Sequence, residues 1–122
     1  MPTTRLSFKD MCAEFDVTPR TLRYYEYIEL LQPERDGRSR FYHAREIARM
    51  KLIMRGRKFG FSLEDIRQWL DLYDTTEKNT AQMQAWIELA DAQMGELTSR
   101  RDQIEEAISE LQALRDQVAK GL

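Results

Sequence analysis

Apolar residues recur at helical spacing in several short segments of this chain and then along one long one. Phe8, Met11, Cys12 and Phe15 stand at i, i+3, i+4 and i+7, one face of a short helix. Ser7 before it and Asp10 three residues on form a variant of the capping box, with Asp in place of Glu. Asp16-Val17 then makes a turn into a second helix. Thr18 is a good N-cap there, and Pro19 takes the first helical position, where a missing N–H is no loss. This helix carries Arg20, Thr21, Arg23, Tyr24 and Tyr25 in place of a second apolar stripe.

Beyond it, Asp36-Gly37 is a two-residue hairpin signal. Its flanks would form a ribbon bearing Arg35, Arg38, Arg40 and Tyr42. Isolated ribbons are marginal in water, so this one should pack on the helices through Leu31, Phe41 or both. A third helix is expected from about Ala44 to Lys58, with Ile47, Met50, Ile53 and Met54 inward and Arg45, Arg49, Lys51, Arg55, Arg57 and Lys58 supplying charge. Gly60 reads as its stop, and Ser62 with Asp65 opens a fourth helix along Leu63, Ile66, Leu70 and Tyr73. Asp74–Asn79 breaks the periodicity and reads as a linker.

From about Thr80 to Val118 the pattern changes period. Ile87, Ala90, Met94, Leu97, Arg101, Ile104, Ile108, Leu111, Arg115 and Val118 step by 3 and 4 without a fault, a seam of period 3.5. Such a helix would be roughly 58 Å long and could not bury its seam on a small head. A second copy is the simplest partner. Ile87, Ala90, Met94, Leu97, Ile104, Ile108 and Leu111 are the expected dimer contacts. Arg101 and Arg115 interrupt the apolar positions and could set register against a partner's acidic residues. The expected division is a head over 1–75 and a linker with dimerisation helix over 76–122.

Charge sharpens the division. The net charge is −2, yet residues 1–61 carry 13 Lys+Arg against 8 Asp+Glu, and residues 62–122 carry 6 against 13. A basic front and an acidic back suggest a polyanion-binding head with a tail that DNA repels. Two short helices joined by a turn, followed by a basic hairpin, form the winged helix-turn-helix pattern. No apolar run approaches the roughly 18 residues of a spanning helix, and no secretory h-region is visible, so a cytoplasmic location without membrane contact is expected. One Cys and one His leave nucleophilic or metal chemistry without its parts, so neither catalysis, a metal nor a cofactor is expected.

The chain resembles the MerR family of bacterial transcription regulators over nearly its full length. The resemblance rests on Thr18-Pro-Arg-Thr-Leu-Arg-Tyr-Tyr-Glu26, Leu30-Leu31-x-Pro33, Arg38-Ser-Arg-Phe-Tyr42 and Arg57-Lys-Phe-Gly-Phe-Ser-Leu-Glu-Asp-Ile66, the last typical of the family's second wing. It implies a mainly α fold, a winged helix-turn-helix head with a long C-terminal helix, paired antiparallel in a homodimer. It further implies binding to a pseudo-palindromic operator, distortion of promoter DNA and an encounter with RNA polymerase there. Carried onto this chain, Thr18 counts among the DNA-binding residues, and Arg20, Thr21, Arg23 and Tyr24 would enter the major groove. Tyr25, Arg38, Arg40, Tyr42, Arg55, Arg57 and Lys58 would grip phosphates and support the bend. Metal- and redox-sensing members place cysteines near the end of the dimer helix, and none follows Cys12 here. The chain also stops at the coiled coil, where multidrug members continue into a drug-binding domain. The run Leu52–Phe61 with Asp71–Asp74 is similar to the LiuR-type regulators of branched-chain amino-acid and fatty-acid degradation, so an effector, if there is one, is expected to be a small organic metabolite.

Blander readings stand beside these. Cys12 shares a face with Phe8, Met11 and Phe15 and reads as core. His43 reads as a helix-start residue, and Trp69 and Trp86 as packing. Tyr24 and Tyr25 point about 100° apart, so one packs while the other faces outward, Tyr25 being the phosphate contact on the resemblance alone. The competing function is an architectural, excisionase-like DNA bender that has no effector.

Overall fold

The computed structural model describes residues 5–74 and 80–122. It divides into two compact units, Met1–Asn79 and Thr80–Leu122. Of the linker expected over Asp74–Asn79, all but Asp74 lies outside the described residues.

In the first unit, local chemistry sets the helix limits. Helix α1 (Phe8–Phe15) starts at Ser7, whose hydroxyl accepts from the Asp10 N–H at 3.1 Å. Helix α2 (Pro19–Tyr27) starts at Thr18, whose hydroxyl accepts from the Thr21 N–H at 3.1 Å. Helix α4 (Leu63–Asp74) has a reciprocal box: Asp65 N–H donates to Ser62 Oγ at 3.1 Å and Ser62 N–H to Asp65 Oδ2 at 3.3 Å. Helices α1, α2 and α3 (Ala44–Phe59) all end in the double-bonded Schellman pattern. Its outer bonds are Val17 N–H to Cys12 O at 3.0 Å, Leu30 N–H to Tyr25 O at 2.9 Å, and Phe61 N–H to Gly56 O at 3.0 Å. The left-handed residues of these three ends are Asp16, Glu29 and Gly60.

A three-stranded antiparallel sheet stands beside α1 and α2, with β1 (Leu6–Ser7) and β2 (Glu34–Asp36) flanking β3 (Ser39–Tyr42). Leu6 pairs with Tyr42 and Ser7 with Phe41, while Glu34 pairs with Phe41 and Asp36 with Ser39. The expected ribbon is therefore backed by a third strand. Its two-residue loop is Gly37-Arg38, one position later than the Asp36-Gly37 signal, with Gly37 at φ 62° as a type II′ turn needs at its first central position. Leu31 anchors the ribbon as expected, being 1% exposed, but the second anchor is the fully buried Tyr42, with Phe41 only half-buried.

The core of this unit combines Met11, Leu22, Tyr25, Leu30, Leu31, Tyr42, Met50, Ile53, Ile66, Trp69 and Leu70. Its α3 stripe also includes two charged residues, Glu46 and Arg49. Glu46 Oε2 accepts from the Gln32 N–H at 3.0 Å and Oε1 from Arg45 at 2.6 Å. Arg49 donates from Nε to Leu30 O at 2.8 Å and from Nη1 to Asp74, which closes α4. Arg49 is thus a buried clasp, in contrast to the solvated charge its sequence setting suggests. Buried ions last only with such partners, and losing one partner typically costs about 3–5 kcal/mol.

The second unit is helix α5 (Thr80–Lys120), none of whose residues is buried. Every seam position except the half-buried Ala90 is exposed, Ile104, Ile108 and Leu111 by 60%, 61% and 67%. Arg101 and Arg115 lie against their neighbours Asp102 and Asp116, at 3.2 and 3.0 Å. Among the described residues no helix is long and apolar enough to cross a membrane.

Gly56 lets α3 pack tightly on α4, since a Cβ there would sit 2.6 Å from Ile66 Cγ1. Gly56→Ala is expected to destabilise the head by about 1–3 kcal/mol through overpacking, read by urea unfolding of the full chain. An unchanged midpoint would contradict this packing.

Candidate nucleic-acid interface

Helix α2 sorts its side chains by face. Leu22 and Tyr25 point inward, at 0% and 3% exposure, while Tyr24 and Tyr27 are 49% and 83% exposed. Arg20 and Arg23 are exposed as well. Arg20, Tyr24 and Tyr27 follow one another at i, i+4 and i+7, so they share a face with Arg23 alongside. Thr18 and Thr21 meet this face only from its start, where their hydroxyls bond each other at 2.9 Å.

Two concave surfaces flank the helix. One, of about 820 Å³, runs between α2 and the α3–α4 corner and is lined by Arg20, Thr21, Arg23, Tyr24, Tyr25, Tyr27, Arg57, Phe61, Ser62 and Leu63. The other, of about 480 Å³, runs between α2, the start of α1 and the hairpin, lined by Ser7, Phe8, Lys9, Arg23, Arg38, Ser39, Arg40 and Phe41. Arg23 lines both. Every charged residue in the two linings is a cation and no carboxylate enters either. A low-dielectric concavity lined by one sign of charge concentrates counter-ions of the other. The N-terminus of α4, with the partial positive charge of its free N–H groups, opens beside the first.

The expected contact residues separate into several settings. Arg20, Thr21, Arg23, Tyr24, Arg38, Arg40 and Arg57 come together around α2. Arg55 and Lys58 are exposed on α3 but line neither surface, Arg55 lying 5.9 Å from the Trp69 ring centroid. Tyr25 is the packed member of the tyrosine pair, the reverse of the expected choice, because its position on α2 faces the core beside Leu22. Tyr42 is a clear correction. It is fully buried and its hydroxyl donates to Glu26, so no phosphate can reach it. Burial first, and then the Glu26 carboxylate, push this phenol well above its ordinary pKa. Arg40 Nε stands 3.6 Å from Glu26 Oε1.

Sequence reasoning missed Lys9, Tyr27 and Ser62 on these surfaces. Tyr27 had a signal in its spacing from Arg20 and Tyr24, whereas Lys9 and Ser62 are placed by tertiary structure alone. Cys12 is half-buried, and burial pushes its thiol up, the opposite of an activated thiolate, with Arg23 pulling it down by less. His43 precedes α3 and contacts Glu34 of β2. Trp69 packs with Phe59 and Tyr73, at 6.4 and 6.1 Å between centroids.

A family model described as MerR HTH family regulatory protein matches residues 6–72, and one described as MerR, DNA binding matches residues 47–120. The chain belongs to the MerR family. The HTH-type transcriptional regulator HmrR of Rhizobium leguminosarum bv. viciae is 35% identical over 94 residues, 73% of this chain and 73% of that one. ZntR, an HTH-type transcriptional regulator of Escherichia coli (strain K12), is 33% identical over 102 residues, 82% of this chain and 66% of its own. A crystal structure of a MerR family transcriptional regulator from Bacillus cereus shares the fold, with a TM-score of 0.67 at 23% identity over 87% of this chain and 76% of that one. This MerR-family chain is therefore a non-catalytic, sequence-specific DNA-binding regulator, acting as a homodimer on promoter DNA. A regulator's role displaces the purely architectural alternative.

If Tyr42 is structural, Tyr42→Phe should leave the Glu26 carboxylate short of a partner and destabilise the fold by about 1–3 kcal/mol. The salt dependence of DNA binding by the folded protein should not change. Unaltered stability with a shallower salt slope would return Tyr42 to the phosphate contacts.

Proposed function

We propose that the head seats duplex DNA with α2 in the major groove and the two cationic concavities against the phosphate backbones on either side. The observation that carries this is the acid-free lining on both flanks of α2, with Arg23 common to both. Arg23 is the base reader, as a guanidinium can bond guanine O6 and N7 together. Arg20, Thr21 and Tyr24 share the groove, near Thr18 at its edge. Lys9, Arg38 and Arg40 hold the backbone on the hairpin side, and Arg57 with the α4 N-terminus holds it on the other. Arg55 and Lys58 extend the second contact along the flanking DNA.

In the dimer, α5 pairs antiparallel with its copy through Ile87, Ala90, Met94, Leu97, Ile104, Ile108 and Leu111. The exposed seam supports this, because a 3.5-residue apolar repeat left in water is an unsatisfied interface. Two heads at fixed separation then demand a pseudo-palindromic operator, and the strained promoter DNA is presented to RNA polymerase. No cysteine follows Cys12 in this sequence to match the thiolate sets of metal-sensing members. We place it instead with the LiuR-type regulators, answering to a small organic metabolite, on the strength of the Leu52–Phe61 run.

Affinity should fall steeply with salt, by roughly one counterion per phosphate neutralised. On a duplex enriched by the wild-type chain from a random library, Arg23→Ala should lose about 1–3 kcal/mol and most discrimination. Arg57→Ala should weaken selected and scrambled duplexes alike and reduce the salt slope by about 1. Equal losses from both variants on both duplexes would overturn the division of roles. Separately, Ile104→Asp with Ile108→Asp should sediment as a monomer. A surviving dimer would place the interface elsewhere.

A further inference from the structure

We propose that Phe8 is a positioning residue for DNA reading, its ring being the platform that holds the Arg23 guanidinium and is shared with that of Arg40. The inference rests on the assignment of Arg23 to base reading. The guanidinium carbon of Arg23 stands 5.4 Å from the Phe8 ring centroid and that of Arg40 stands 5.2 Å from it. Both lie within the roughly 6 Å over which a ring quadrupole attracts a cation. Arg23 comes from α2, Arg40 from β3 and Phe8 from the first position of α1. One ring therefore touches the reading helix and the hairpin together.

The platform is itself held. Ser7, immediately before it, caps α1 through its side chain and pairs with Phe41 in the sheet. Arg40 is held in turn by the Glu26 carboxylate. The Phe8 ring attracts both guanidinium groups, and the Glu26 carboxylate steadies that of Arg40. A long Arg side chain otherwise loses rotamer freedom when it docks on a base, so an Arg already placed binds more tightly and discriminates more sharply. Ordinary core packing does not explain the site. Met11 on the same helix face is fully buried, whereas Phe8 stays half-exposed in a surface lined by Lys9, Arg23, Arg38 and Arg40. A leucine would supply the apolar volume there but no π face.

The test uses Phe8→Leu and Phe8→Tyr in the full chain. Without DNA, the side-chain Hδ resonances of Arg23 and Arg40 should be shifted upfield by the ring in the wild type and in Phe8→Tyr, and should relax in Phe8→Leu. With DNA, binding is compared between the duplex that the wild type enriches from a random library and a scrambled duplex of equal composition. Phe8→Leu should lower the ratio of the two affinities by about threefold to tenfold, and Phe8→Tyr should keep it within about twofold. In an Arg23→Ala background, Phe8→Leu should leave the ratio where Arg23→Ala has put it. Absence of the upfield shifts in the wild type overturns the inference even if Phe8→Leu fails to fold. So does an unchanged ratio in Phe8→Leu, or an equal loss on both duplexes that Phe8→Tyr does not restore. If the wild type enriches no sequence, the base-reading assignment fails and this inference with it. Enrichment and loss of discrimination by Arg23→Ala, without an effect of Phe8→Leu, overturn the inference alone.

Discussion

The carboxylate of Glu26 is the constraint on which the head depends. It belongs to α2, is 8% exposed, and takes its partners from the hairpin, the Tyr42 hydroxyl and the Arg40 guanidinium. A carboxylate removed from water is tolerated only with such partners. The orientation of α2 and the register of β3 therefore fix each other. A slip of one residue in β3 would turn Tyr42 to the opposite face of the sheet and leave Glu26 buried and unpaired. The concavity on the hairpin side exists because these two elements cannot move apart.

A second clasp holds the other flank. Glu46 and Arg49 of α3 secure the backbone of Gln32 and Leu30, just after α2, and Arg49 reaches Asp74 at the end of α4. Arg67 of α4 donates to the Ile28 carbonyl at the close of α2. Helix α2 is thus gripped at its end by side chains from α3 and α4. Two groups of basic residues in the head differ in setting. Arg49 and Arg67 are internal fasteners, and Lys9, Arg20, Arg23, Arg38, Arg40 and Arg57 line the concave surfaces on both sides of α2.

Helix limits were legible in the sequence because caps are local chemistry: Ser7, Thr18, Ser62 and Gly60 act on atoms within a few residues. The α5 seam was legible because a strict 3-4 step over ten positions has few other readings. Strand β1 was not, since two residues carry no alternation and their pairing depends on β3, some 35 positions later. The hairpin turn was displaced because Asp-Gly suits a turn in which both residues are central, whereas here only Gly37 occupies the loop. Buried polar side chains were the least visible. Tyr25, Tyr42, Glu46 and Arg49 have the composition of a surface, and only tertiary contacts show that they face inward. The lining of the two surfaces around α2 could be read from residue type where side chains sit on the helix itself, and not where Lys9 and Ser62 arrive from elsewhere.

If Glu26 locks the hairpin to α2, the two must open together. Native-state hydrogen exchange on the full chain in rising sub-denaturing urea measures this directly. Amides in α2 and β3 are expected to converge on one opening free energy and one dependence on urea. A β3 that exchanges through a separate, cheaper opening while α2 stays protected would contradict it.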